Sequence, residues 1–294
     1  MLEPKAAYQT RRGGIGLDIS STDRDGKIPC TLGWMKVASL GFRTDVMLLE
    51  MGGSVVTDHG SHLVVRTPAN PGFHWGNFLL FDTPPQPGDA VRWSALFAAE
   101  FPEAKHRAFG VDGVTGVAGD TSEHEVLGVT AEVNTVLTAD RLVPSVATPQ
   151  AEIRALTGDV DWGQALELDF ACYGLPSDDD SRRFAERRVA GYRGLCEAGH
   201  GIWIGAFVEG HLRAGAGLFA VGSGLARFQN VETHPDFRRR GLASAVLHHA
   251  QRALLAPGVR TLVIVADPGD YAIRLYRALG FVDRERQVQL HKAG

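Results

Sequence analysis

The sequence has few cysteines and lacks both an excess of positive charge and a long hydrophobic run. Cys30, Cys172 and Cys196 are the three cysteines of a 294-residue chain, and they form no CxxC pair. This pattern disfavours a disulfide framework and a zinc site, so we expect reduced, structural thiols and no bound metal. No run reaches the ~18 apolar residues that a membrane-spanning helix needs.

The charge balance argues against nucleic acid as the main ligand, because 30 basic and 34 acidic side chains give a net charge of −4. The first 25 residues are polar and rich in glycine, without the apolar segment of a secretory signal. We therefore expect a cytoplasmic protein with no membrane or nucleic-acid partner. The sequence leaves its oligomeric state open.

The length predicts two compact units, because an ordinary domain spans ~100–200 residues. The composition is typical of a globular protein, with 44% hydrophobic and 22% charged residues. Residues 1–35 show little periodicity and are predicted to form a loose arm. A connector-like stretch at 143–150 then divides the remainder into a domain over 36–145 and a second domain over 151–294.

Short strands dominate the pattern of the first domain. Apolar runs predict them over 46–51, 62–66, 77–81 and 129–137. A helix is predicted over 89–101, because large apolar residues recur there at helical spacing.

The second domain has a different order of elements. A strand near residue 152 is followed by two helices and then by three strands, whose glycine-containing turns predict an antiparallel meander. The order continues as helix, strand, helix and strand, with predicted bounds of 240–255, 261–266, 271–280 and 283–291. The predicted fold class is α/β of the α+β type, with a mixed, mostly antiparallel sheet flanked by helices.

One stretch of the second domain has the chemistry of an anion site. Its third predicted strand runs into a proline turn, then into Arg238, Arg239, Arg240 and Gly241, and then into a helix. The first turn of that helix offers unpaired N–H groups and the positive end of the helix dipole. Arginines oppose this dipole, so they destabilise the turn unless an anion binds there. Gly241 and Ala243 leave the backbone open to a phosphate, and the pattern therefore predicts a diphosphate site.

The same residues resemble a known family. Arg238-x-x-Gly241-x-Ala243 is similar to the R/Q-x-x-G-x-G/A loop with which the GNAT N-acetyltransferase superfamily binds the pyrophosphate of acetyl-CoA. A second element of that family, here Leu275-Tyr276-x-x-x-Gly280-Phe281, follows at the expected distance. The order of elements from residue 152 onward also matches. The resemblance implies a GNAT-like fold and acetyl-CoA as the co-substrate.

The resemblance also implies roles for individual residues. Val231 and Thr233 occupy the strand whose backbone pairs with the pantetheine arm in this family. The implied contacts to the pyrophosphate come from Arg238, Arg239, Arg240, Gly241, Leu242, Ala243 and Ser244. One departure is Gly269, which stands where many members have an asparagine that contacts the cofactor. Asp267 and Asp270 are candidates to replace that contact.

Two candidate catalytic residues follow. Tyr276 occupies the position of a general acid that protonates the departing CoA thiolate, although the apolar stripe around it also fits a core tyrosine. Glu232 alternates with Val231 and Thr233, so its side chain leaves the opposite face of the strand. There it is either the general base that takes a proton from an amine or a solvated surface carboxylate.

The first domain is either a degenerate second copy of the same fold or an unrelated β-rich domain. Its loop at 82–88 has three prolines and no arginine, so it lacks the donors and the charge that a diphosphate needs. We therefore predict one acetyl-CoA per chain, bound by the second domain. Phe73, His74 and Trp75 lie on a turn, where they either line an acceptor cleft or pack between the domains.

Two functional hypotheses remain from the sequence. The first is an enzyme that moves an acetyl group from acetyl-CoA to an amine by direct attack in a ternary complex. The second is a non-catalytic acyl-CoA-binding or sensory module. Tyr276 and Glu232 favour the enzyme, and the sequence does not identify the acceptor.

Overall fold

The computed structural model describes residues 37–144, 149–174, 178–222, 224–254 and 258–292. The predicted arm over 1–35 and Cys30 lie outside these ranges. Within them, every helix is too short or too polar to span a bilayer.

Both halves of the described chain contain strands and helices. The strands of the first half are β1 (Val55–Asp58), β2 (His62–Arg66), β3 (Phe78–Phe81), β4 (Arg107–Val111) and β5 (Thr130–Ala139). Its helices are α1 (Leu40–Met51), α2 (Asp89–Glu100) and α3 (Ser122–Val126). The strands of the second half are β6 (Glu152–Ala155), β7 (Gly201–Val208), β8 (His211–Ala220), β9 (Leu225–Thr233), β10 (Thr261–Ala266) and β11 (Val282–Lys292). Its helices are α4 (Gly158–Tyr173), α5 (Asp179–Glu197), α6 (Leu242–Leu254) and α7 (Ala272–Ala278).

All described strands join one sheet, in the order β1-β2-β3-β4-β11-β5-β10-β9-β8-β7-β6. Two pairs within the described residues are parallel, β3 with β4 and β9 with β10. The remaining neighbours are antiparallel. The predicted fold class, a mixed and mostly antiparallel sheet flanked by helices, is therefore confirmed.

The two halves repeat one order of elements. Each half contains three strands, then a helix, a strand, a helix and a last strand. In the first half this series is β1, β2, β3, α2, β4, α3 and β5, and in the second half it is β7, β8, β9, α6, β10, α7 and β11. The last strands of the two series are exchanged, because β11 lies between β4 and β5 while β5 pairs with β10. The sheet is thus continuous across the predicted connector. The domain bounds 36–145 and 151–294 stay a prediction.

The repeat extends to the turn that ends each last helix. The amide of Val129 donates to the carbonyl of His124 at 2.9 Å, and the amide of Phe281 donates to that of Tyr276 at 3.1 Å. The glycines that precede Val129 and Phe281 both have positive φ, 75° and 92°. His124 is therefore the first-half counterpart of Tyr276.

Two sequence predictions differ from the structure. Residues 46–51, predicted as a strand, belong to α1, because a short run of leucine and methionine suits a buried helix as well as a strand. Strand β4 was not predicted, since Gly110 interrupts its apolar pattern. A Cβ at Gly110 would lie 2.6 Å from the Phe42 ring, so only glycine lets α1 pack closely on the sheet.

Candidate active site

A gap opens in the sheet between β9 and β10. The two strands pair in parallel only where Leu225–Arg227 faces Thr261–Val263. Beyond that point β9 continues to Thr233 and β10 to Ala266 without pairing to each other. Each strand is held on its outer edge, β9 by β8 and β10 by β5. The facing edges therefore leave backbone groups available to a ligand.

A bulge in β9 sets which side chains face which side of the sheet. Its register against β8 shifts between Gly215 and Gly217, and Asn230 has a left-handed φ of 45°. Val231 packs against the apolar cluster beneath α6 and α7. Asn230 and Glu232 face α4 and α5 instead, since Tyr192 Oη donates to Asn230 Oδ1 at 3.3 Å. Glu232 and Val231 thus lie on opposite faces, as the alternation predicts.

The loop after β9 is shaped to present backbone amides. Pro235–Phe237 forms a 3-10 turn, and Arg239 and Gly241 then take left-handed φ values of 62° and 78°. Helix α6 begins directly after Gly241. The amides of 241–244 donate no hydrogen bond to another described residue, so they are free for an acceptor from outside the chain.

The three arginines of this loop surround those amides with uncompensated charge. Arg238 Nε donates to the Thr233 carbonyl at 3.3 Å, and Arg240 Nη2 donates to the Asp236 carbonyl at 3.0 Å. Arg240 also lies over the Phe237 ring, 4.7 Å from its centre. Within the described ranges, none of the three forms a salt bridge with an acidic side chain. The loop is therefore suited to an anion.

Glu232 is buried, with 5% of its surface exposed, rather than solvated. The carboxylate of Asp169 in α4 lies close enough to disfavour the charged form of Glu232, and Glu232 Oε1 has no hydrogen-bond partner among the described residues. Arg188 of α5 forms an ion pair with Asp169. Burial and the charge of Asp169 raise the pKa of Glu232 well above its usual range. A raised pKa makes the carboxylate form of Glu232 a stronger base.

Tyr276 lies on the opposite face, in the cluster beneath α6 and α7. It is 5% exposed, and its ring packs edge-on against Phe281 with centroids 6.2 Å apart. Burial and the nearby Asp270 raise its pKa. Tyr276 therefore packs in the core, as the apolar stripe around it suggests, and its role as a general acid stays a prediction.

The two carboxylates offered as replacements for the family's asparagine make local bonds. Asp267 Oδ1 accepts from the Gly269 amide at 2.7 Å, and Asp270 Oδ1 accepts from the Ala272 amide at 3.1 Å. Both stabilise the turn that leads into α7.

A cavity of about 360 Å³ adjoins the gap. Its wall on the gap side includes Asn230 and Asp267, and its opposite wall comes from α1 and from the segment between β2 and β3. Phe73 and Trp75 line it, whereas His74 stacks on His106 with centroids 4.2 Å apart. The first half of the chain therefore contributes to the cavity.

Sequence reasoning missed Asp169, Arg188 and Tyr192. They lie on the two helices after β6, where charged residues are typical of a solvated face. Nothing in their spacing shows that they turn toward β9, because that contact depends on how α4 and α5 pack on the sheet.

Cys172 and Cys196 are free, and burial raises the pKa of each thiol to about 12. Among the described residues, no three or more His, Cys, Asp or Glu side chains converge as metal ligands.

Comparison with known proteins identifies the second half. Residues 162–281 match the Acetyltransferase (GNAT) family. The chain therefore carries a GNAT domain, the domain of an acyltransferase. A comparison with curated protein sequences gives no match.

Solved structures share the fold over most of the chain. A functionally unknown conserved protein from Staphylococcus epidermidis is 14% identical, with a TM-score of 0.63 over 80% of this chain and 92% of that one. A GCN5-related N-acetyltransferase from Kribbella flavida is 15% identical, with a TM-score of 0.57 over 87% and 97%. A putative GNAT acetyltransferase from Novosphingobium aromaticivorans is 20% identical, with a TM-score of 0.51 over 86% and 99%. At these identities the likeness concerns the fold.

Proposed function

We propose that the protein is an N-acetyltransferase that moves the acetyl group of acetyl-CoA to a small amine. The observation that carries the proposal is the gap between β9 and β10, which leads into an arginine-rich loop at the start of α6. A strand edge without a partner and a helix start with free amides suit the two polar parts of CoA, its amide-containing arm and its pyrophosphate.

In this proposal the free edge of β9 binds the pantetheine arm through the backbone of Val231 and Thr233. The pyrophosphate lies at the loop, against the backbone and side chains of Arg238, Arg239, Arg240, Gly241, Leu242, Ala243 and Ser244. The thioester then lies in the gap, next to the cavity.

The acceptor amine attacks the thioester carbonyl carbon, so a C–N bond forms and the C–S bond breaks. Glu232 takes the proton that the nitrogen loses, directly or through water. The hydroxyl of Tyr276 protonates the departing thiolate. Glu232 and Tyr276 lie on opposite faces of the sheet, so they can act on either side of a thioester in the gap.

Direct attack is favoured over a covalent acyl-enzyme. A cysteine nucleophile reacts as its thiolate, and the two described cysteines have thiol pKa values near 12. An enzyme is favoured over a binding module, because a buried carboxyl group with a raised pKa and a cavity lie at the same gap.

Two measurements on the full chain test the proposal. Calorimetry gives the affinity for acetyl-CoA, and a thiol-detecting reagent gives CoA release with a panel of amines, amino acids and peptides. We expect binding together with amine-dependent CoA release. Binding without release for every acceptor would favour the sensory module, and absence of binding would reject the site.

A further inference from the structure

The cavity beside the gap has an aromatic side. Phe73 and Trp75 are half-buried and line it, with Phe42 and Phe78 behind them. The rings of Trp75 and Phe78 meet edge-on, with centroids 5.7 Å apart. A partly exposed aromatic wall of this kind suits a planar apolar group of a ligand.

The charges of the cavity wall are compensated in part. Arg227 pairs with Asp45 at 2.7 Å, and Arg188 pairs with Asp169. Arg187 is exposed and forms no salt bridge with a described residue, and Asp267 likewise faces no described basic partner. The cavity therefore keeps one positive and one negative side chain without a partner of opposite charge.

These two charges lie on different elements. Arg187 belongs to α5, where it is followed by Arg188, whose buried Nε atom has no hydrogen-bond partner among the described residues. Asp267 follows β10 at the gap, close to where the thioester is placed. An anionic group is thus favoured at α5 and an ammonium group at the gap.

We infer that the acceptor is an α-amino acid with an aromatic side chain. Its ring contacts Phe73 and Trp75, its carboxylate binds Arg187, and its amine points to the gap beside Asp267. The inference rests on the proposed acetyl transfer, and it names the substrate class of that reaction.

The test uses three probes that differ by one group each. L-phenylalanine has ring, amine and carboxylate, phenethylamine lacks the carboxylate, and L-alanine lacks the ring. Calorimetry measures their binding to the full chain, with and without CoA, and CoA release from acetyl-CoA is followed separately. We expect L-phenylalanine to bind at least about tenfold more tightly than either truncated probe.

Two variants locate the contacts. Arg187→Gln should remove the advantage of L-phenylalanine over phenethylamine and leave its advantage over L-alanine. Trp75→Leu should remove the affinity advantage of L-phenylalanine over L-alanine and leave its advantage over phenethylamine. Arg183→Gln, which changes an exposed arginine on α5 that pairs with Asp180, should alter neither ratio.

The binding and transfer readouts separate two kinds of failure. The inference would be overturned if the three probes bound equally or if L-phenylalanine did not bind. It would also be overturned if Arg187→Gln left the affinity ratio of L-phenylalanine to phenethylamine unchanged. These outcomes count even if another amine releases CoA. Selective binding of L-phenylalanine that depends on Arg187 would support the aromatic amino-acid site. If no amine then released CoA, only the proposed transfer reaction would fail.

Discussion

The two halves contain the same parallel strand pair, and they differ at its end. In the first half β3 pairs with β4 up to its last residue, where Phe81 faces Val111, and the Asp112 amide closes the pair by donating to the Phe81 carbonyl at 2.7 Å. In the second half pairing stops at Arg227, and β9 continues alone to Thr233. The same order of elements therefore gives a fully paired strand end once and a gap between the strands once.

The loops after β3 and β9 also differ, in whether their backbone amides already have acceptors within the described chain. In the first half the Gly88 amide, at the start of α2, donates to Glu123 Oε2 at 2.9 Å, and the Gln86 amide donates to Asp89 Oδ2 at 2.9 Å. The chain's own carboxylates thus occupy the donors that a phosphate would use. In the second half, the arginines pair with no described acidic side chain and stand beside amides that donate to no described residue. The comparison indicates that local charge makes the second loop, and not the first, suited to an anion.

The residues at the equivalent helix turns also differ. His124 is fully buried and packs edge-on against Trp93, with centroids 5.3 Å apart. Neither of its ring nitrogens has a partner among the described residues. Tyr276, its counterpart, is 5% exposed and packs edge-on against Phe281. The two turns thus carry different buried side chains, a histidine in the first half and a tyrosine in the second.

The largest expected effect comes from a matched pair of variants. Gly241→Asp places a carboxylate at the proposed pyrophosphate site, and acetyl-CoA affinity should fall by at least about 100-fold. Gly88→Asp makes the same change at the corresponding glycine, which also has a positive φ, 88° against 78°. It should leave the affinity unchanged. Calorimetric titration of both variants checks this.

Backbone strain is controlled separately, since any L side chain at these positions costs ~1–2 kcal/mol. Gly241→Ala introduces that strain without the charge, and it should retain much of the affinity. Equal losses in Gly241→Asp and Gly88→Asp would remove the distinction between the two halves.

Glu232→Gln should lower kcat by ~10²–10⁴-fold, because the amide cannot accept a proton. Acetyl-CoA affinity should change little. Glu167→Gln, an exposed carboxylate of α4, is the control and should keep full turnover. Single-turnover kinetics check the effect on the chemical step, and wild-type kcat in the glutamine variant would contradict the base role.

The same variant has a signature in stability. The folded pKa of Glu232 is raised above 4.5, so the folded state binds more protons and stability falls as pH rises from about 4.5 through the folded pKa. Glu232→Gln removes this titration, and its free energy of unfolding should fall less over that pH range. Urea unfolding at several pH values measures the difference, and identical pH profiles would mean that Glu232 titrates normally.

Tyr276→Phe should reduce turnover by roughly 10²-fold with nearly unchanged acetyl-CoA affinity and stability, because it removes the hydroxyl and keeps the ring against Phe281. A pre-steady-state measurement isolates the chemical step. His124→Phe, at the counterpart position, should leave turnover unchanged. A Tyr276→Phe variant as fast as wild type would leave this tyrosine with a packing role.

The smallest effect is expected at Glu123. Glu123→Ala removes the carboxylate that accepts from the Gly88 amide, and stability should fall by ~1 kcal/mol. The change should not create a second acetyl-CoA site, since β3 and β4 stay paired and no arginine replaces the lost acid. Thermal unfolding and acetyl-CoA titration of the variant measure the two outcomes.

The features of the site that lie in one contiguous stretch could be predicted from sequence. The contacts between residues on different elements could not. Arg238–Ala243 is readable because the turn, the charge and the helix start are contiguous. The proximity of Glu232 to Asp169 involves residues on different elements, and the bulge at Asn230 has no sequence signature of its own. The exchange of β5 and β11 is equally hidden, because each strand would fit either half by its apolar pattern.

The central claim is that the second half alone binds the cofactor. The most direct test is a calorimetric titration of the full chain with acetyl-CoA, read for stoichiometry. One acetyl-CoA per chain is expected, because the first half has a closed strand pair and carboxylates on its loop amides. A stoichiometry of two would mean that the first half carries a site as well, and it would contradict this account.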